Sequence, residues 1–177
     1  MRKFLSLVLV MVMLAIAGTA LAADAPILFG MKWGDTPSQC QKKGMKDTTP
    51  SDDGDLYLDY KNAGRKIGDI KIDTVGYTFC HGKLSHMLAF IESESGFQTL
   101  KGALNKKYGA PENSRQMQNL YGSSIGISYT WLVGVVTIDL QFNFAKGEGG
   151  LSYNHSEYSQ PCIQDTENKE KSASEDL

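Results

Sequence analysis

The feature that most constrains the fold is a run of alternating residues over positions 136–144. Every second residue in this run is apolar, and the residues between them are polar. Successive side chains of a β-strand point to opposite faces, so this period of two predicts a strand with one buried and one wet face. Other runs with the same period predict further strands at residues 56–60, 70–79, 84–91 and 127–133, and a short last strand that begins at Leu151.

Two other segments carry helix signals. Asp35 and Thr36 are candidate caps, Pro37 suits a first turn, and Gly44 is suited to end the helix. In the second segment the apolar residues are spaced by three or four, as on one face of a helix, and Gly109 follows them. These apolar residues are Phe97, Leu100, Leu104 and Tyr108.

The order of these elements is one helix and three strands, followed by another helix and three strands. It predicts an α+β fold of two αβββ units, with antiparallel sheet pairing and both helices packed on one side. We expect a single domain over residues 23–162, with a duplication (29–92 and 96–153) left open. Residues 163–177 contain five acidic and two basic residues and few apolar ones, so we expect them to be disordered.

The N-terminus has the three parts of a secretory signal peptide. Arg2 and Lys3 are basic, residues 4–17 are almost wholly apolar, and small residues lead to a cleavage site after Ala22. The apolar run is shorter than the ~20 residues that a membrane-spanning helix needs. We therefore predict a periplasmic or secreted protein with no stable membrane insertion after cleavage.

The charge balance excludes some partners. Without residues 1–22, 16 basic residues face 20 acidic ones. A nucleic-acid binder normally has a basic stripe, so no nucleic acid is expected as a partner. The same balance provides no attraction to anionic lipid.

The chain has three cysteines, Cys40, Cys80 and Cys162. An odd number allows at most one internal disulfide, and an exported protein can keep it oxidised. We favour Cys40–Cys80, because both lie in segments expected to be ordered. The alternative left open is that Cys162 attaches the polar tail to the body.

The residues suited to chemistry form no recognisable catalytic or metal motif. The three histidines, His81, His86 and His155, occur in no hydrolase or metalloprotease signature, so we predict no enzyme and no catalytic residue. Cys80 and Cys162 could join them as soft metal ligands. Their spacings match no known ligand pattern, so we predict no metal and no cofactor.

Four aromatic residues are the candidate interaction residues. Tyrosine and tryptophan are favoured at protein interfaces, where a ring offers both contact area and a polar tip. They are equally common as half-buried strand residues. The candidates are Tyr57, Tyr129, Trp131 and Tyr153.

Three segments resemble small exported bacterial αβββ-repeat proteins of unassigned activity: residues 33–40, 79–84 and 104–111. The arrangement is more loosely similar to the β-lactamase-inhibitor-like group, which includes outer-membrane assembly lipoproteins of the SmpA/OmlA kind. That resemblance implies protein binding without catalysis. The chain lacks the lipoprotein cysteine, which counts against the assembly role, and no functional residue carries over.

The expected function is that of an exported, non-enzymatic protein-interaction module of the bacterial envelope, acting as an adaptor or inhibitor. Its partner would be an unknown envelope protein, bound on an open sheet face or by strand addition at a sheet edge. The alternative is a periplasmic carrier of a small ligand or metal, held between sheet and helices.

Overall fold

The computed structural model describes residues 27–45, 56–59, 65–72 and 74–175. The predicted signal peptide lies outside the described residues, and so does the side chain of Tyr57. The described elements, in chain order, are α1 (Pro37–Lys42), β1 (Leu56–Asp59), β2 (Arg65–Ile67), β3 (Ile70–Ile72), β4 (Val75–Cys80), β5 (Lys83–Ile91), α2 (Glu94–Tyr108), β6 (Asn113–Gln118), β7 (Ser124–Val133), β8 (Val136–Asn143), β9 (Glu148–His155) and α3 (Ser156–Glu175).

Seven strands form one antiparallel sheet in the order β1-β4-β5-β9-β8-β7-β6. The hairpin β2-β3 forms a separate two-stranded sheet. The last strand, β9, lies between β5 and β8 and so joins the strands that precede α2 to those that follow it. The predicted α+β class with antiparallel pairing is confirmed, while the duplication stays a prediction.

One face of the large sheet, the inner face, holds the hydrophobic core. A single row of paired residues crosses five strands on this face, and every side chain in it is buried. The row consists of Tyr77, Met87, Tyr153, Ile138 and Trp131. Because cross-strand neighbours pack side by side, the row forms a continuous apolar floor for the helices.

Helices α1 and α2 both cover this inner face, as predicted. Cys40 of α1 packs with the residues of β4 and β5. Phe97, Leu100 and Leu104 of α2 pack on the residues of β8 and β9. The Thr36 side chain caps α1 in a capping box with Gln39, which satisfies backbone N–H groups that the first turn leaves unpaired.

The opposite, outer face of the sheet is polar where β4, β5, β9 and β8 run side by side. Its central row is Thr78, His86, Asn154 and Thr137. Helix α3 packs over part of this face, against β4, β5 and β9. The sheet is therefore covered by helices on both sides, although only two helices were predicted.

The predicted disordered tail, residues 163–177, is instead helical as far as Glu175. Every side chain from Ile163 to Ser174 is exposed, so this part of α3 contributes nothing to the core. The segment contains three Glu, two Lys, one Gln and one Ala, which are good helix formers. The composition indicates a segment without core contacts. Such a segment can still be helical when it continues a helix whose first half is attached to the sheet.

A second correction concerns residues 112–124, which the sequence predicts to be a polar loop. The structure has strand β6 at Asn113–Gln118 and a turn after it. This strand lies at the edge of the sheet with five of its six residues exposed, so its sequence lacks the alternation by which a half-buried strand is recognised.

Candidate functional site: the α3 groove

A disulfide between Cys80 and Cys162 fastens α3 to the sheet, with 5.8 Å between the two Cα atoms. The predicted Cys40–Cys80 pair is therefore wrong, and the alternative, in which Cys162 attaches the tail, is the one observed. The physical reason is the position of the side chains. Cys40 belongs to the inner-face core, whereas Cys80 points to the outer face beside α3.

The remaining thiol, Cys40, is fully buried and free. Burial, together with the negative charge of Asp35, raises the pKa of the Cys40 thiol to about 11. A thiol held in its protonated form is a poor nucleophile, so Cys40 is a core residue and not a reactive one.

A second, polar contact joins the β4–β5 turn to α3 beside the disulfide. His81 and Gly82 form this turn, both with positive φ (49° and 73°). His81 Nε2 lies 2.9 Å from Asp165 Oδ2, and both side chains are more than half exposed. The disulfide and this pair hold the same turn of α3 to the same turn of the sheet.

The space between α3 and the outer face, which we call the α3 groove, has a volume of about 520 Å³. Its floor is formed by β4, β5 and β9, and its roof by α3. The residues that line it are Thr78, Phe79, Cys80, Ser85, His86 and Asn154 on the floor, and Ser159, Cys162, Ile163, Thr166, Glu167 and Glu170 on the roof.

The floor of the groove presents hydrogen-bonding groups in a fixed order. His86 Nδ1 lies 3.3 Å from Thr78 Oγ1 on the neighbouring strand. On the other side of His86, Asn154 Oδ1 is buried without a hydrogen-bond partner among the described residues. Burial lowers the pKa of His86, with Asp139 acting in the opposite direction, so the ring is neutral near pH 7.

Ser85 on the groove floor is not activated as a nucleophile. Ser85, the hydroxyl one residue from His86, donates to the backbone oxygen of Thr78 at 3.1 Å. Its proton is thus directed to a carbonyl group and not to an imidazole, which a serine nucleophile would need. The arrangement is suited to binding a ligand that donates hydrogen bonds to Asn154 and that tolerates the carboxylates of Glu167 and Glu170.

The structure separates the aromatic residues that were predicted to form an interaction patch. Trp131 and Tyr153 are 1% and 5% exposed and belong to the inner-face core. The Trp131 indole donates to the Gly109 backbone oxygen at 3.0 Å. Tyr129 is half-buried, and its hydroxyl accepts from Lys101 Nζ at 2.8 Å. The prediction is wrong for Trp131 and Tyr153, because alternation does not distinguish a row beneath a helix from an open face.

The five potential metal ligands considered from the sequence are also divided. Cys80, His81 and Cys162 place one ligand atom each within 4.8 Å of one another. His86 lies on the groove floor, and His155 lies in a third place, between the rings of Trp33 and Tyr158. Burial lowers the pKa of His155, whose Nδ1 has no partner among the described residues.

The sequence did not indicate the groove residues Asn154, Glu167 and Glu170, since they become neighbours only when α3 folds back over the sheet. The alternation of His86 with Leu84 and Leu88 in the sequence predicts that His86 lies on a buried face. A bulge between Leu84 and His86 shifts the register, so Leu84 points inward and His86 outward. The one usable signal was the alternative pairing of Cys162 with the body of the protein.

Among the described residues, no helix has both the length and the apolar character required to cross a membrane. No family model matches the chain, and no curated protein matches it. Among solved structures, the chain is similar to a DUF4309 family protein, YjgB, from Bacillus subtilis subsp. subtilis strain 168. The two chains are 14% identical with a TM-score of 0.45, over 68% of this chain and 78% of the other.

Proposed function

We propose that this protein is an exported, non-enzymatic binding protein of the bacterial envelope that holds a small, donor-rich ligand in the α3 groove. The observation that carries the proposal is the unpaired Asn154 Oδ1, buried on the groove floor next to His86. A buried acceptor without a partner costs free energy, and a ligand N–H or O–H group would remove that cost.

The groove has the size and chemistry of a small-molecule site. Its volume of about 520 Å³ lies within the usual range of ligand pockets, about 300–1,000 Å³. Ile163 provides apolar contact, and Glu167 and Glu170 provide negative charge. No lysine or arginine is found among its described lining residues. These features favour a primary or secondary amine over a carboxylate of the same size.

This choice reverses the order of the two functions expected from the sequence. The protein-interaction function named four candidate aromatic residues, and two of these are buried. The carrier function needed a pocket with converging polar groups, and the α3 groove supplies one. Export remains part of the proposal. The Cys80–Cys162 disulfide supports it, because such bonds persist in oxidising compartments.

The test is equilibrium binding of matched probes to the oxidised protein: short alkyl amines and diamines, and carboxylic acids of the same length. We expect saturable binding of amines only. An Asn154→Leu variant and a Glu167→Gln/Glu170→Gln variant should each weaken amine binding. Glu112→Gln, which changes an exposed carboxylate that is not among the groove residues, is the matched control and should bind as the unmodified protein does.

Two results would contradict the proposed site. One is equal binding of amines and carboxylates, which would mean that the groove carries no charge preference. The other is amine binding that the Asn154 and glutamate variants leave unchanged while Glu112→Gln reduces it, which would place the bound probe elsewhere on the surface.

A second candidate function, protein docking, is favoured by a separate observation. Leu120 and Tyr121, at the turn between β6 and β7, are 101% and 92% exposed. They continue from an edge strand whose outer backbone groups are available for pairing with a partner strand. The resemblance to the β-lactamase-inhibitor-like group, whose members bind proteins, also fits this function.

Affinity capture from envelope extract tests the docking function. A partner that binds the unmodified chain and not a Leu120→Ser/Tyr121→Ser variant would support it. Capture that is equal for the two chains would exclude this turn as the docking surface. The groove variant Asn154→Leu serves as the control, since it leaves the turn intact.

A further inference from the structure

We propose that reduction of the Cys80–Cys162 disulfide creates a zinc site, in which the two thiolates, His81 and Asp165 bind one Zn²⁺. This site does not depend on the ligand proposed for the α3 groove. It would bind metal only in the reduced protein, because a disulfide sulfur is not a thiolate ligand.

Three of the four proposed ligands lie close together in the oxidised protein. One ligand atom each from Cys80, His81 and Cys162 lies within 4.8 Å of the other two. Ligands of a tetrahedral zinc site lie roughly 3.5 Å apart, given Zn–S and Zn–N bonds of about 2.3 and 2.0 Å. The three donor atoms are therefore separated by distances close to those that one zinc ion requires.

A fourth donor is already in contact with the third. Asp165 Oδ2 lies 2.9 Å from His81 Nε2 and comes from the same helix as Cys162, three residues later. Residues three apart project from the same side of a helix, so α3 presents Cys162 and Asp165 together. Two thiolates, one imidazole and one carboxylate form a donor set that suits zinc.

The backbone of the β4–β5 turn holds the other two ligands close together. His81 has φ of 49°, a left-handed conformation that costs free energy for a residue other than glycine. Gly82 follows with φ of 73° and completes the turn. The turn directs the His81 side chain toward α3, where it meets Asp165. An exposed residue kept in a costly conformation is consistent with a binding role.

Reduction of the disulfide and binding of Zn²⁺ are two separate steps, and each balances in electrons and protons. A dithiol reductant transfers two electrons and two protons to the Cys80–Cys162 bond, which becomes two thiols while the reductant becomes a disulfide. Zn²⁺ then displaces the two thiol protons and binds both sulfurs, so metal binding releases protons and weakens as the pH falls. A disulfide oxidant that takes up two electrons and two protons, and so becomes a dithiol, would re-form the Cys80–Cys162 bond and release Zn²⁺.

The experiment uses the full mature chain with Cys40→Ala, so that only the two sulfurs of interest can be thiols. The protein is reduced without oxygen by a water-soluble phosphine, which takes its oxygen from water, and is titrated with Zn²⁺ against a chromophoric chelator. We expect one Zn²⁺ per reduced chain and none per oxidised chain. Co²⁺ in place of Zn²⁺ should give a thiolate-to-cobalt charge-transfer band.

Single substitutions identify the ligands. His81→Ala and Asp165→Asn should each weaken Zn²⁺ binding by at least about tenfold, since even residues behind the ligands have effects of that size. Glu157→Gln, an exposed carboxylate on the same helix, is the matched control and should leave the affinity unchanged. Circular dichroism of each oxidised variant shows beforehand that it is folded.

Zn²⁺ binding by the reduced chain that is no tighter than binding by a Cys80→Ser/Cys162→Ser chain would overturn the proposal. Full affinity in His81→Ala would also overturn it, because the metal would then be held by the cysteines without the proposed third ligand. If the reduced chain loses structure, zinc-dependent recovery of the circular dichroism spectrum supports the site, and lack of recovery counts against it.

Discussion

Two histidines, one on the outer face and one at the end of the sheet, make the free energy of unfolding depend on pH. His86 lies on the groove floor, and His155 packs between the rings of Trp33 and Tyr158. Burial lowers the pKa of both side chains in the folded protein, while Asp139 and Glu157, respectively, act weakly in the opposite direction. The unfolded chain therefore takes up protons at a higher pH than the folded chain.

We expect the free energy of unfolding to fall as the pH decreases below about 6.5, the ordinary pKa of histidine. There the unfolded state binds more protons than the folded state, so acid favours unfolding. Urea unfolding at pH 7.5 and 5.5 measures the loss. It should be smaller in a His86→Asn/His155→Phe variant. An equal loss in the variant and the unmodified protein would show that other groups, such as carboxylates, account for the pH dependence.

At the scale of elements, two glycines, one in strand β9 and one in helix α2, should respond in opposite ways to substitution by alanine. A Cβ at Gly149 in β9 would collide with the backbone oxygen of Gln141 and approach the Phe142 ring to 2.8 Å. A Cβ at Gly102, inside α2, meets no atom within 4 Å among the described residues.

We expect Gly149→Ala to lower the free energy of unfolding by roughly 1–3 kcal/mol, the usual cost of overpacking. Gly102→Ala should raise it by roughly 0.5–1 kcal/mol, because alanine is the better helix former. Urea unfolding of the two variants beside the unmodified protein tests both signs. Destabilisation by Gly102→Ala would mean that this face of α2 packs against something.

Helix α3 should divide into a first part that stabilises the protein and a second part that does not. Removal of residues 164–177 takes away side chains that are exposed throughout the described range 164–174, together with the exposed His81–Asp165 pair, which is worth about 0–1 kcal/mol. Loss of the disulfide in Cys80→Ser/Cys162→Ser should cost about 2–4 kcal/mol. A large destabilisation by the truncation, measured by urea unfolding, would contradict the observed exposure of this segment.

The sequence predicts some of these elements and misses others, according to how far each element is buried. Strand β8 and helix α2 were predicted because a half-buried element carries its period in its own residues. Strand β6 and the second half of α3 are exposed along almost their whole length, so no period marks them. Sequence patterns indicate which residues are buried. They indicate backbone conformation only where the buried residues recur with a period.

For the whole molecule, the sequence predicted the two helices that cover the inner face and missed the helix that covers the outer face. The inner face follows from local amphipathicity, and both helices that cover it were found. The α3 groove depends on a contact between Cys80 and Cys162, which are 82 residues apart in the chain. Three cysteines allow three pairings, and the sequence alone does not choose among them.

The α3 groove and the proposed zinc site both depend on the attachment of α3 across the outer face, because this contact forms them. Peptide mapping by mass spectrometry of the unreduced protein, alkylated before and after denaturation, tests the attachment directly. We expect a linked peptide pair containing Cys80 and Cys162, with Cys40 alkylated only after denaturation. A linked pair containing Cys40 and Cys80, or three cysteines alkylated without reduction, would contradict the account.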